Sequence, residues 1–308
     1  MAVQTPDPTL SPSEPALAPG TEGDEIVART TQAADIWRRF RRNRLAMIGL
    51  VILVIIALAA IFAELITGYP PGKVDTNAGN LRPFSKGHIL GTDRLGRDLY
   101  TDVVFGARVS FRIGIIAGLI AGTVGTFFGA LAGFYGRAID TFVMRFTDIL
   151  LALPYLLIAL AIIVVIGPGE GTVMLVLGFL GWMPIARILR GTILQVKESE
   201  YVEAARALGF SNARIIVRHI LPNAIQPVIV YTTLFIGSAV ITEAALSFLG
   251  VGVQRPTPAW GLMVAEGRRS LATYPHMLFV PGTALAIMVI AALFVGDGLR
   301  DALDPKLK

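Results

Sequence analysis

Residues 37–66 read WRRFRRNRLAMIGLVILVIIALAAIFAELI, a cluster of arginines followed at once by a long apolar run. A helix needs about 20 apolar residues to cross the hydrocarbon core of a bilayer, and Leu45–Ile66 is long enough. The arginines between Trp37 and Leu45 hold that end in the cytoplasm, and Trp37 is a residue type that favours the membrane interface. The stretch therefore predicts a transmembrane helix that leaves the cytoplasm.

Five more apolar runs predict five more spans. They are Ile113–Phe134, Ile149–Ile166, Val173–Ile188, Ala224–Leu249 and Met277–Val295. The whole composition agrees, because 54% of the 308 residues are apolar and 16% are charged, whereas a soluble domain is about a quarter charged. Membrane orientation also accounts for the net charge of +5 better than nucleic-acid binding does. We expect an all-α transmembrane fold of six helices, a five-helix core plus one N-terminal span, with both termini cytoplasmic.

This orientation divides the chain into predicted parts. Residues 1–34 are rich in proline and poor in large apolar groups, which predicts a disordered cytoplasmic tail. The other parts are a basic flank with the first span at 35–66, an extracytoplasmic loop at 67–112, a membrane core at 113–296 that contains a cytoplasmic loop at 189–223, and a cytoplasmic tail at 297–308. The prolines within or beside spans predict kinks, and they are Pro154, Pro184, Pro227 and Pro281.

Glycines in the second span recur at intervals of four and form two stripes. The stripes are Gly114, Gly118 and Gly122, and then Gly125, Gly129 and Gly133. Small residues at this spacing let a second helix approach closely, so we interpret them as packing surfaces rather than as a substrate groove.

The sequence contains no site for an energy-yielding reaction. A phosphate-binding loop needs glycine, four residues and then Gly-Lys-Ser or Gly-Lys-Thr, and residues 68–74, GYPPGKV, have neither that spacing nor the hydroxyl. The chain has no cysteine, and its three histidines are far apart in sequence. These observations disfavour a membrane enzyme and predict that no cofactor or metal is bound by this chain.

Glu243 is the clear ionisable residue within a span, near the predicted outer end of the fifth. Such a residue is a functional candidate, and an ion-driven secondary transporter would need one. The alternative is a carboxylate that accepts hydrogen bonds from a loop or a neighbouring subunit. We favour the second interpretation because of the position near the interface.

The cytoplasmic connection contains the pattern of two short helices around a glycine. Helix-forming residues run from Glu200 to Leu208, and Gly209 stands where a helix ends. Ser211 is predicted to cap a second helix over Asn212–Ile220, which Pro222 would end. The apolar side, which includes Val202, Ala205, Ala207 and Leu208, needs a partner. From the pattern alone, that partner is either another protein or the membrane surface.

The motif Glu203-Ala204-Ala205, then Gly209, then Ile220-Leu221-Pro222 resembles the EAA loop of ABC importer permeases. His219 stands where that family usually has isoleucine, and His-Ile-Leu-Pro-Asn is common in its peptide-transport branch. The resemblance implies a coupling helix that meets a separate ATPase subunit. The residues it assigns to coupling are Tyr201, Glu203, Ala204, Ala205, Gly209, His219, Leu221 and Pro222.

Further motifs, from about Trp37 to the C-terminus, resemble the C-type permease of dipeptide, oligopeptide and nickel importers. They include LGTDRLGRD at 90–98, EAALSFLG at 243–250 and PTPAWG at 256–261. The resemblance implies a companion permease in a heterodimer, two ATP-binding subunits that hold ATP and magnesium, and an extracytoplasmic solute-binding protein. It places the chain in a bacterial cytoplasmic membrane and implies a peptide cargo, with nickel or another small solute as the alternative.

Acids in the outer loop raise the question of a metal site. His88, Asp93, Asp98 and Asp102 carry possible ligands, but Arg94, Arg97 and Arg108 are interleaved with them. Because these arginines compete as partners, we predict a structured loop that packs on the companion permease or receives the binding protein.

Overall fold

The computed structural model describes residues 32–85 and 87–303, and helices make up most of that part of the chain. Five helices are long and apolar enough to cross a membrane. They are α2 (Arg44–Ile61), α4 (Leu99–Tyr135), α7 (Glu170–Val196), α11 (Gln226–Phe248) and α13 (His276–Leu303), and a bent pair, α5 (Arg137–Leu151) with α6 (Tyr155–Ile166), makes the sixth. The six predicted spans are therefore confirmed if the bent pair counts as one.

The third span differs from its prediction. The kink predicted at Pro154 is confirmed, but it is sharper than a kinked span over Ile149–Ile166 implies, because α5 ends at Leu151 and α6 starts at Tyr155 at an angle of 89°. Pro154 lies at the break and has no N–H to continue the helical ladder, so it is the residue that precedes α6. The other prolines are accommodated: Pro184 and Pro281 lie inside α7 and α13, and Pro227 lies in the first turn of α11.

The N-terminal part begins with α1, Gln32–Arg42, which precedes α2. Residues 32–34 are thus helical, and the predicted tail boundary at 34 is wrong by that margin; residues 1–31 lie outside the described residues, as do residues 304–308. The short helix α3, Ala63–Ile66, follows α2. α2 packs along α13, where Gly49 faces the backbone oxygen of Ala291, and α2 exposes most of its other side chains.

Among the described helices, α4 and α7 share the most extensive contact. A Cβ on Gly125 would lie 2.7 Å from Ile185 Cβ of α7, and one on Gly129 would lie 2.7 Å from Ala186 O. The other stripe faces α11, where a Cβ on Gly114 would lie 3.0 Å from Ile236 Cγ2. The two glycine stripes are packing surfaces, as predicted, and each serves a different helix.

The end of the helix bundle at which α4 begins, called the outer side after the predicted orientation, is closed by the described parts of the segments at 67–98 and 249–275. The second includes α12, Trp260–Gly267, and the buried Trp260 donates its indole N–H to Val103 O of α4 at 2.8 Å. The opposite end, called the inner side for the same reason, carries α8 (Glu200–Ala207), α9 (Asn212–Arg214), a π-helical segment at Ile215–Ile220 and α10 (Leu221–Ala224).

Candidate functional site

Helix α8 and the segment that returns from it form a bracket, defined here as residues 200–224. α8 ends as its sequence predicts. Gly209 has φ +74°, its N–H donates to Arg206 O at 2.9 Å, and the N–H of Phe210 donates to Ala205 O at 3.2 Å. Glycine suits this turn because a left-handed backbone is costly for residues that carry a Cβ.

The second arm of the bracket differs from its prediction. The predicted helix Asn212–Ile220 is α-helical only as far as Arg214 and then continues as the π segment. Ser211 is the N-cap residue, as predicted, but its side chain makes no capping hydrogen bond. Pro222 does not end the helix either. It stands in the first turn of α10, where a proline needs no N–H.

The two sides of α8 have different environments. Val202 and Ala205 are buried in the core of the same chain, together with Ile215 and Ile220 of the π segment. The expectation that Val202 and Ala205 await a partner is therefore wrong. The remaining apolar side chains form what we call the α8 surface: Tyr201, Ala204, Ala207 and Leu208, which are all exposed, Tyr201 by 43% and Leu208 by 72%. Glu203 is exposed beside them.

His219 closes the bracket through an aromatic stack. The centroids of the His219 and Phe210 rings lie 5.8 Å apart, and the angle between the ring planes is 16°. The Arg214 guanidinium lies over the Phe210 ring, 5.3 Å from its centroid. The His219 backbone oxygen accepts from Asn223 Nδ2 at 2.8 Å. The coupling residues Leu221 and Pro222 lie next to this stack in sequence, half-buried and exposed respectively. Sequence reasoning missed Phe210; an aromatic residue directly after the turn glycine was the available signal.

The bracket rests on the inner ends of the best-packed helices. Arg206 of α8 lies over the Phe134 ring near the end of α4, 5.8 Å from its centroid. Beside it, Arg190 of α7 makes a two-pronged ion pair with Asp140 of α5, at 2.5 and 2.6 Å. A force on the α8 surface therefore acts on α4 through Arg206, and it reaches α7 through α10, which contacts that helix.

Glu243 is buried in α11, with 0% exposure. Its Oε1 accepts from Ser247 Oγ at 2.6 Å, and Ser247 Oγ in turn accepts from the N–H of Val253 at 3.1 Å. Within the described residues, Glu243 Oε2 has no hydrogen-bond partner. These contacts link Glu243 to the loop after α11, which favours the interpretation as a carboxylate that holds a loop.

That loop leads to a network of ion pairs on the outer side, which we call the outer ion network. Arg255 contacts Asp102 and Glu266, each at 2.7 Å, and Arg97 contacts Asp93 at 2.5 Å and Glu266 at 3.2 Å. Burial alone would raise the pKa of Glu266, but its hydrogen bonds and charges with Arg255 and Arg97 outweigh burial and lower it. The network joins α4, α12 and the two outer segments.

The remaining acids of the proposed metal set also have partners. His88 Nδ1 lies 2.8 Å from Asp98 Oδ1. Asp98 caps the start of α4, because its Oδ2 accepts from the N–H of Thr101. Within residues 32–85 and 87–303, no group of three or more histidines and acids is arranged to hold a metal ion. Of the predicted competing arginines, Arg97 does pair with Asp93, whereas Arg108 pairs with Glu64 at 3.3 Å.

Comparison with known families gives two matches. Residues 125–308 match the binding-protein-dependent transport system inner membrane component, and residues 31–83 match the N-terminal transmembrane domain of oligopeptide transport permease C.

Several curated proteins are similar over nearly their whole length. The oligopeptide transport system permease protein OppC of Bacillus subtilis is 41% identical over 96% of this chain and 97% of its own. The dipeptide transport system permease protein DppC of Alkalihalophilus pseudofirmus is 38% identical over 99% and 97%. The glutathione transport system permease protein GsiD of Escherichia coli O157:H7 is 40% identical over 89% and 90%.

A solved structure shares the fold. One chain of the inward-facing methionine ABC transporter MetNI superposes with a TM-score of 0.53 and 20% identity, over 66% of this chain and 96% of that one. At this identity the likeness speaks for the fold alone.

Proposed function

Because this chain belongs to the family of binding-protein-dependent transport system inner membrane components, we propose that it is a peptide-carrying permease subunit of an ATP-driven importer, coupled to ATP hydrolysis on separate subunits. The observation that carries the coupling is the α8 surface. It is apolar and exposed, and α8 contacts the inner end of α4 through Arg206. An exposed apolar surface of this kind fits a protein cleft.

The coupling works through rigid packing. The α8 surface binds in a cleft of an ATPase subunit. When the ATPase closes, it moves the bracket. Gly209 and the Phe210–His219 stack hold the two arms together, so the bracket moves as one piece. The motion reaches α4 and α7, whose glycine contacts leave no free space between them. The other residues assigned to coupling move with the bracket, and they are Tyr201, Glu203, Ala204, Ala205, Leu221 and Pro222.

The partners and cofactors follow from the same proposal. A companion permease completes the pathway, two ATPase subunits bind ATP and magnesium, and a solute-binding protein delivers the cargo at the outer side. This chain itself performs no covalent chemistry. It lies in a bacterial cytoplasmic membrane with both termini and the bracket on the cytoplasmic side, an orientation that the arginines of α1 support.

Peptide is the proposed cargo because the curated relatives are named for oligopeptide, dipeptide and glutathione transport. Mass spectrometry of the ligand bound to the co-purified binding protein tests this directly. A peptide supports the proposal, and nickel or another small solute contradicts the cargo while leaving the transport class intact.

The coupling is tested by changing Leu208→Glu, with Leu271→Glu, an exposed leucine of the outer segment, as the matched control. We expect L208E to lose co-purification of the ATPase and ATP-dependent uptake into proteoliposomes, while L271E keeps both. Normal uptake by L208E contradicts the coupling role of α8. Uptake that stops when an uncoupler is added at constant ATP contradicts ATP-driven transport.

A further inference from the structure

Helix α1 carries two chemically different sides. Phe40 is buried beside Gly298 of α13, with its ring Cε2 3.3 Å from the position that a Cβ on Gly298 would occupy, and Ile36 is half-buried. The opposite side is exposed and basic, and it consists of Arg38, Arg41 and Arg42, with Arg44 following at the start of α2. Asp35, which pairs with Arg38 at 2.9 Å, is the acid on the described part of this helix.

The basic side is held in a fixed position. Asn43, between α1 and α2, accepts from the N–H of Ala46 at 3.1 Å through its side-chain oxygen. Its side-chain nitrogen donates to Asp301 of α13 at 3.2 Å. Together with the buried Phe40, these contacts fix the angle between α1 and α2. The backbone that carries the arginines is therefore already held in place, which lowers the cost of ordering this surface when it binds.

This surface lies at the border of the membrane. α2 begins at Arg44, and its first exposed side chains, Leu45 and Ile48, are apolar and point away from the bundle, as expected for a surface that faces acyl chains. Trp37 is 50% exposed and stacks on Phe40 with 5.8 Å between the ring centroids. Tryptophan next to arginines at the end of a span is typical of the headgroup region.

We propose that the outward side of α1 is a binding site for anionic phospholipid headgroups, with Arg38, Arg41 and Arg42 as the headgroup contacts and Trp37 at the level of the ester region. Charge complementarity argues for this occupant, since a basic residue near an anionic membrane surface strengthens binding by about fivefold. Continuity with the apolar exposed side of α2 argues for lipid rather than an acidic protein surface. The proposal rests on the transmembrane placement of α2, but it does not depend on the cargo or on ATP.

The test uses tryptophan quenching in the full chain, reconstituted in nanodiscs that contain brominated phosphatidylglycerol or brominated phosphatidylcholine. Trp182 and Trp260 are buried, and a Trp37→Phe variant gives the signal to subtract for them. We expect brominated phosphatidylglycerol to quench Trp37 several-fold more than brominated phosphatidylcholine at low salt. The difference should shrink at about 1 M salt, where the screening length is about 3 Å.

The variant Arg38→Gln/Arg41→Gln/Arg42→Gln should lose the preference for phosphatidylglycerol. The control Arg82→Gln/Arg94→Gln/Arg269→Gln removes the same charge from exposed outer positions and should keep it. Equal quenching by the two lipids in the unmodified chain overturns the proposal. An unchanged preference for phosphatidylglycerol in the α1 variant also overturns the proposal. The same holds if that variant loses co-purification of the ATPase but keeps its lipid preference. Because the readout needs neither ATP nor peptide, its failure leaves the proposed transport function untouched, and a failed uptake assay leaves this site untouched.

Discussion

Single residues determine whether the bracket can form. Gly209 takes φ +74° with open space around the position of a Cβ, so the constraint is the backbone and not crowding. His219 contributes its ring to a stack that the sequence motif does not reveal, although the resemblance already singles it out. At this scale sequence reasoning located the turn correctly. It could not locate the stack, because Phe210 and His219 are brought together only by the return of the chain.

We expect substitutions of Gly209 to separate backbone strain from side-chain size. Gly209→Asn should retain most uptake, since asparagine tolerates a positive φ. Gly209→Val should lose coupling, because a left-handed backbone costs about 1–2 kcal/mol for a residue with a Cβ and more for a branched one. The measurement is ATP-dependent uptake per inserted protein. Equal uptake by both variants would show that the turn geometry is irrelevant to coupling.

The role of Glu243 is open to an equally direct test. Glu243→Gln keeps an oxygen that accepts from Ser247 Oγ, so we expect uptake within about twofold and an unchanged pH profile. Glu243→Ala removes that acceptor and should lower thermal stability by about 1–3 kcal/mol. A shifted pH profile of uptake in the Gln variant would instead support proton coupling.

Among the elements, α4 packs closely against other helices, as the sequence predicted, but the sequence did not show which helices these are. The glycine spacing indicated close helix packing. Only the structure assigns one stripe to α7 and the other to α11. The sharpness of the bend in the third span and the π segment were missed for related reasons. Pro154 and Pro222 mark possible breaks, but the 89° turn and the wider helical turn depend on how neighbouring helices satisfy the freed backbone groups.

Matched glycine substitutions test the packing of α4. Gly125→Ala places a Cβ 2.7 Å from Ile185 Cβ, and we expect the free energy of unfolding to fall by about 1–3 kcal/mol. Gly191→Ala in α7 is the control, since no atom lies within 4 Å of its added Cβ. Alanine there should leave stability unchanged or raise it slightly. Thermal unfolding in nanodiscs measures both, and a similar effect at the two positions would refute close packing at Gly125.

Across the whole molecule, two assemblies of side chains lie at opposite ends of the same helices. The bracket sits at the inner ends of α4 and α7, and the outer ion network holds the outer end of α4 to α12. Sequence reasoning identified the outer arginines as partners for the acids. It could not identify Arg255 and Glu266 as the centre, because they meet Asp102 and Arg97 across 153 and 169 residues of chain.

The outer ion network predicts a pH dependence of stability. The pKa of Glu266 is lower in the folded protein than its usual value of 4.5, so its contribution is complete above that pH and is lost as pH falls through the folded pKa. Glu266→Gln should therefore lower the free energy of unfolding by about 1 kcal/mol near neutral pH, with allowance for partial exposure. The difference from the unmodified chain should begin to shrink below about pH 4.5 and disappear once the pH is below the folded pKa of Glu266.

Melting curves of both proteins at several pH values measure how this difference in stability changes with pH. Glu64→Gln is the control, because Glu64 is exposed and its pair with Arg108 at 3.3 Å should contribute almost nothing. A gap between Glu266→Gln and the unmodified chain that stays constant with pH would rule out a charge contribution from Glu266.

The pairing of α2 with α13 has a consequence for how the protein is made. α2 is translated well before α13, yet Gly49 and the preceding Asn43 find their partners, Ala291 and Asp301, on α13. α2 therefore stays in the bilayer without this partner, with the small residues Ala46 and Gly49 uncovered, until α13 has been translated. A chain truncated before α13 would insert into the membrane, but the side of α2 that packs on α13 would stay uncovered. This uncovered side is a structural difference by which membrane proteases distinguish unfinished chains from complete ones.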